Sequence, residues 1–145
     1  MVSLFHIVML SAALHQWTVG DRMFLIDFEY CGNNDPMWDP ADLSVEGGFT
    51  PEQDRALLAA YLDLPTDAEH QLEHSCDYAR FVLFKALVDF LWTLWGLLQH
   101  VNGNSAEDFW SYSLRRFHRC RQLMLSDLFK AQVDVLRALT CCDDT

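Results

Sequence analysis

Between Phe81 and Leu98 the chain is almost wholly apolar, and only Lys85 and Asp89 carry charge. Within it Phe84, Val88, Leu91, Trp95 and Leu98 recur at steps of three and four, the helical period. This stretch is expected to form part of a long helical region, interrupted near Cys76 and ended near Val101 by the Asn102-Gly103-Asn104 stop. Against it stands little strand: Met23 to Ile26 reads as one short apolar strand. One strand or a hairpin cannot build a sheet that stands alone. The expected fold is therefore α+β and predominantly helical, with one short strand or hairpin and four to five helices. It has the look of one lobe of a larger protein.

The other helices carry start signals. Thr50 reads as an N-cap with Pro51 in the first turn and Gln53 closing a capping box, and the helix is expected to reach about Leu62. Thr66-Asp67-Ala68-Glu69 is a second capping box, Ser105 can cap a helix to about Met124, and Ser126 a last one to about Leu139. At 145 residues, 51% of them apolar, the chain is long enough for one domain with its own core and too apolar for disorder.

Charge is distributed unevenly. The net charge of −11 falls entirely on residues 1–75, which hold two arginines, no lysine and 13 acids. Residues 76–145 balance eight bases against eight acids. The acids concentrate behind the strand: Asp27, then Glu29, Asp35, Asp39, Asp42, Glu46, Glu52 and Asp54, with Gly47-Gly48 as a break. Such a cluster repels itself unless it holds a metal or a cationic ligand, and it argues against nucleic acid, which needs Lys and Arg. The segment from Asp27 to Glu46 reads as an acidic loop.

The five cysteines, Cys31, Cys76, Cys120, Cys141 and Cys142, are odd in number and lack Cys-x-x-Cys spacing, which fits a reduced, cytoplasmic protein. Lys85 and Asp89 interrupt the longest apolar run, so no membrane span is expected. Residues 1–20 resemble a signal peptide in their apolar stretch and Ser11-Ala12-Ala13, but lack a positive residue before it. They are read as an atypical leader, with one domain over residues 21–145. His70-Gln71-Leu72-Glu73-His74 fits the His-x-x-Glu-His spacing of inverted zinc peptidases, against the simpler reading of a solvated helix face. Arg115, Arg116, Arg119 and Arg121 read as a basic patch on one helix that balances the acidic half, with phosphate binding as the alternative.

Two motifs together resemble a known family. Leu25-Ile26-Asp27-Phe28-Glu29-Tyr30, the run Asn34-Asp35-Pro36-Met37-Trp38-Asp39, and Asp39-Pro40-Ala41-Asp42-Leu43-Ser44-Val45-Glu46 look like the metal-binding segment of choline and ethanolamine kinases, the bacterial branch in particular. Downstream, Trp92-x-x-Trp95-x-x-x-Gln99, then Phe109-Trp110-Ser111-Tyr112 and Arg116-Phe117, is similar to their Trp-x-x-Trp-x-x-x-Gln helix and the aromatics behind it. The resemblance covers about residues 20–140. It implies the C-terminal, substrate-binding lobe of a protein-kinase-like, aminoglycoside-phosphotransferase-like enzyme that moves the ATP γ-phosphate to a small amino alcohol, choline or ethanolamine.

By that resemblance Asp27 would bind the Mg²⁺ that bridges the ATP phosphates, with Glu29 supporting the same metal site. Asp39 and Asp42 would orient the acidic loop behind it. Glu46 would lie near the ammonium of the substrate, inside an aromatic box of Trp92, Trp95 and Tyr112. A quaternary ammonium has no donor protons, so ring faces and diffuse negative charge are what can recognise it.

The departures matter as much. At the family's spacing before Asp27, the catalytic base falls on Leu10 and the metal-binding asparagine on His15. Leucine cannot take a proton. The nucleotide-binding lobe has no counterpart either, and the likeness stops abruptly near Thr18 to Asp21. The expectation is a fragment, from truncation or a frameshift, that is inactive alone and binds neither Mg²⁺ nor ATP tightly. A separate N-lobe or a homo-oligomer would be its protein partner. A non-catalytic cation-binding or interaction protein, a decay product without function, and the zinc peptidase are the alternatives.

Overall fold

The structure, a computed structural model, describes residues 7–9, 16–19, 22–25, 31–65 and 72–140. Leu10, His15, Asp27, Glu29, the Thr66–Glu69 capping box and His70 lie outside the described residues.

Among the described residues, four short strands precede the helices. β2 (Gln16–Val19) pairs antiparallel with β3 (Arg22–Leu25), Gln16 opposite Leu25 and Val19 opposite Arg22. β1 (Ile7–Met9) pairs antiparallel with β4 (Cys31–Asn33), Ile7 opposite Asn33. The expected strand at Met23 to Ile26 is thus β3 of a hairpin, and a second two-stranded pair brackets it. Three- and four-residue strands are too short to print an alternating pattern in sequence.

From Trp38 onward the acidic segment departs from expectation: it is a helix, α1 (Trp38–Gly47), where a loop was expected. Asp35 starts it, its Oδ1 accepting from the Met37 N–H at 2.9 Å and its carbonyl from the Trp38 N–H at 3.0 Å. Pro40 sits in the first turn, where its missing N–H costs nothing. Trp38, Ala41 and Val45 form a buried stripe at steps of three and four. Gly48, at φ 62°, closes the helix by donating to the Ser44 carbonyl, a left-handed position that suits glycine.

The expected capping box opens α2 (Pro51–Tyr61): Thr50 Oγ1 accepts from the Gln53 N–H and Gln53 Oε1 from the Thr50 N–H. Ser75 caps α3 (Cys76–Val101), accepting from the Tyr78 N–H at 3.1 Å, so the interruption near Cys76 is real. The next helix starts later than Ser105. Asn104 Oδ1 accepts from the Ala106 N–H in a local turn, and Asp108 is the cap of α4 (Phe109–Leu125). Ser126 Oγ accepts from the Phe129 N–H at the head of α5 (Asp127–Thr140).

α3 is the axis on which α1, α4 and α5 pack. One core cluster joins Met37, Ala41, Leu58, Tyr78, Phe81 and Val82. A second joins Trp38, Val45, Val88 and Trp92, with Phe84, Trp95 and Tyr112 against it. By length and composition alone α3 could cross a membrane. Its inward charges, however, pair with other helices: Lys85 with Asp54 of α2, Asp89 with Arg116 and Arg119 of α4. That is how a core helix of a packed domain behaves. α3 is apolar on its other face too, where Leu87, Phe90, Leu91, Leu94, Leu98 and Val101 are exposed.

α4 crosses α3 at Gly96, where a Cβ would stand 2.4 Å from Ser113 Oγ and 2.7 Å from the Tyr112 ring. Gly96→Ala should push the helices apart and cost about 1–3 kcal/mol of stability. Chemical denaturation would read this as a lower midpoint, whereas a stabilised variant would mean the crossing has slack.

Candidate functional site

On α1, Asp39, Asp42 and Glu46 are spaced at three and four, so the helix puts all three carboxylates along one side. Asp42 turns inward and is only 3% exposed. Its Oδ1 accepts from Trp92 Nε1 of α3 at 3.2 Å. Trp92 is 4% exposed and meets Trp95 edge to face, ring centroids 5.7 Å apart at 82°. Trp95 in turn stands edge-on to Tyr112 of α4 at 6.1 Å and to Phe109 at 5.5 Å. Each such ring pair is worth roughly 0.5–1.5 kcal/mol beyond its buried area.

A guanidinium closes the arrangement. Arg116 lies over the Tyr112 ring, 4.7 Å from its centroid, and its Nη2 donates to Glu46 Oε2 at 2.8 Å. Glu46 Oε1 is 2.7 Å from the same nitrogen but receives no hydrogen bond. Arg116 Nη1 also donates to Asp89 Oδ1 at 3.3 Å, while Arg119 Nε donates to Asp89 Oδ2 at 2.6 Å. Beside this network Lys85 and Ser44 both hold Asp54. Ser44, Lys85, Asp89 and Arg119, together with Val45, Phe49 and Leu123, line a cavity of about 280 Å³ next to it.

Burial shifts two groups. It lifts Asp42 to about 7, against the Trp92 N–H, which lowers it; Glu46 raises it, Arg116 lowers it and Asp39 raises it. Burial also pushes the Tyr112 phenol up to about 12, so that ring stays neutral while Arg116 rests on it.

The structure therefore brings Glu46, Trp92, Trp95 and Tyr112 together, with Asp42 and Asp39 on the same helix as Glu46. Trp92 differs from the rest: its ring is covered, so it backs the cluster, while Trp95 and Tyr112 are half-buried. The expected basic patch divides. Arg116 and Arg119 turn to buried acids, and Arg115 reaches Glu107 at 3.6 Å. The parts not singled out from the sequence are Asp89 and the role of Arg116 as a built-in cation. A lone acid in an eighteen-residue apolar run was the available signal. Among the described residues no three His, Cys, Asp or Glu converge to hold a metal. Of the zinc motif, Glu73 is held by Arg55 at 3.1 Å and His74 is exposed.

Comparison with known proteins gives the arrangement a context. No protein-family model matches the chain. A crystal structure of a choline/ethanolamine kinase family protein from Mesorhizobium loti superposes with a TM-score of 0.73 at 41% identity, covering 85% of this chain and 40% of that one. The chain belongs to the choline/ethanolamine kinase family. Two LicA proteins of Haemophilus influenzae are each 32% identical to it over 104 residues, 72% of this chain and 38% and 30% of theirs. The chain thus spans about two-fifths or less of the relatives it matches. The part of the choline/ethanolamine kinase fold that it carries is the helical, C-terminal lobe.

Two outcomes follow for this kinase-family lobe. Asp89→Asn should cost about 3–5 kcal/mol, because Arg116 and Arg119 lose the carboxylate that neutralises them in the interior; urea unfolding measures it. Asp42 behaves oppositely. Its folded value lies above its unfolded one, so the folded chain takes up a proton between about pH 4 and pH 7. Stability should fall as pH rises through that window and level off above it, and Asp42→Asn should remove this loss. Parallel denaturation curves at pH 4.5 and 7.5 compare the two proteins.

Proposed function

We propose that this chain supplies the substrate-binding lobe of an ATP-dependent choline/ethanolamine kinase-like phosphotransferase and is inactive by itself. The observation that carries the reading is the meeting of Glu46, Trp95 and Tyr112 around a cation that the chain itself provides, Arg116. A site that holds a guanidinium between a carboxylate and a ring has the chemistry to hold a trimethylammonium head. The substrate offers no proton to share, so Glu46 would act through charge alone, and its Oε1 receives no hydrogen bond. Trp95 and Tyr112 would turn ring faces to the methyl groups, while Arg116 would keep Glu46 in place and partly discharged.

In the intact reaction the substrate oxygen bonds to the γ-phosphorus, the bond from that phosphorus to the departing ADP oxygen breaks, and the hydroxyl proton goes to a base. Mg²⁺, which the resemblance assigns to Asp27 and Glu29, would neutralise the phosphate oxygens. The base has no counterpart at Leu10, so it and the nucleotide lobe would come from polypeptide beyond these 145 residues, as a separate N-lobe or otherwise. The exposed apolar side of α3 supports this, since a longer kinase chain would have surface to bury there. ATP-dependent chemistry would place the protein in the cytoplasm.

The second reading is a binding protein that keeps the cation pocket without catalysis. One experiment addresses both. Choline at millimolar concentration should raise the melting temperature, and its uncharged carbon analogue 3,3-dimethylbutan-1-ol should not. At a concentration one hundred times Kd the stabilisation is about 2.7 kcal/mol. Glu46→Gln should abolish most of the shift, and no ADP should form from Mg-ATP and choline. Equal shifts from both alcohols would defeat the cation pocket, and steady ADP formation would defeat inactivity.

A further inference from the structure

Asp42 sits where the resemblance gives it no reason to be. The resemblance has it orient the acidic loop together with Asp39, yet α1 turns it into the interior against Trp92. From there a continuous line of contacts runs through Trp92 and Trp95 to Tyr112, and so to Glu46 and Arg116. Trp92 is too covered to touch a ligand with its faces, but its indole edge sets the angle at which Trp95 stands.

We infer that Asp42 is the positioning residue of the ring cluster, gripping the indole N–H more tightly as a carboxylate than as an acid, and that a cation bound at the cluster expels its proton. This deepens the proposed function and rests on its reading of the cluster as a cation pocket. The chemistry is one proton exchange: the carboxyl O–H breaks, the proton passes to solvent, and the carboxylate keeps the Trp92 hydrogen bond. An ionised acceptor holds an N–H about twice as strongly as a neutral one. The charged groups acting on Asp42 are Asp39 and Glu46 from its own helix and Arg116 from α4, while α3 contributes the Trp92 N–H. Two neighbouring acids and burial favour the protonated form, which places its titration near neutrality. A positive ligand beside Glu46 weakens that preference. By linkage, it must bind more tightly as pH rises through the transition, because proton loss and cation uptake favour each other.

The test compares the wild-type chain with Asp42→Asn, whose amide oxygen still accepts from the indole but cannot titrate. Near-ultraviolet circular dichroism is followed from pH 5.5 to 8.5. The wild type should change with a midpoint near 7, and Asp42→Asn should lack that step. The ring pair of His100 and Trp110 is common to both, so the difference curve isolates Asp42. Trp92→Phe, which keeps an aromatic ring but removes the donor, should raise the midpoint; it also serves if Asp42→Asn does not fold. Choline titrated calorimetrically in two buffers of different ionisation heat should release a proton below pH 7, with affinity rising several-fold from pH 6 to pH 8. Identical dichroism profiles in the two proteins would overturn the positioning role. Choline binding with pH-independent affinity would overturn the proton linkage while leaving the proposed function intact. No choline binding, with the dichroism step present and lost in Asp42→Asn, would overturn the proposed function and the linkage together but uphold Asp42 as the positioning residue.

Discussion

A single carboxylate, Asp89, holds the helices of this lobe in register. It lies in the middle of an apolar helix, 2% exposed, where an unpaired charge would be intolerable. Two arginines from α4 satisfy it, and one of them, Arg116, goes on to bind Glu46 of α1. Three helices, α1, α3 and α4, are thereby fixed to one another by a branched ionic contact. Its contribution to net stability is modest, since burying charges costs nearly what pairing them returns. Its contribution to geometry is large: sliding α4 by one turn would strand the charge.

The same arginine links architecture to the site. Arg116 is held by Asp89 from below and rests on Tyr112, so the position of Glu46 beside the rings is inherited from the core. Close passage of α3 and α4 at Gly96 sets how near Tyr112 comes to Trp95. Behind them Asp42 steadies Trp92. Acid, ring and guanidinium alternate through the cluster, so that each charge has an opposite charge or a ring face as neighbour.

Much of this was legible one element at a time. The capping box at Thr50 and the cap at Ser126 are local devices in which a side chain meets an N–H three residues away, and sequence spacing specifies them. α1 was illegible for the converse reason. Its acids and prolines argue for a loop, and what makes it helical is the burial of Trp38, Ala41 and Val45 against α3, a tertiary contact. The late start of α4 has a similar origin, because Asn104 and Asp108 compete with Ser105 for the local backbone and the packing of Phe109 decides between them.

Glu46, Trp92, Trp95 and Tyr112 could be named together only through the family resemblance, because Glu46 and Tyr112 lie on other helices than the two tryptophans and no spacing links them. Sequence alone thus determined the helical class, several helix ends and the concentration of acid in the first half. These depend on neighbours within a few turns or on composition. Only the tertiary structure decided that Arg116 fills the space between Glu46 and Tyr112, that Trp92 backs the cluster, and that Asp42 faces inward. A charge's role depends on what lies opposite it across a helix interface, and residues 27 or 70 positions away in the chain supply that.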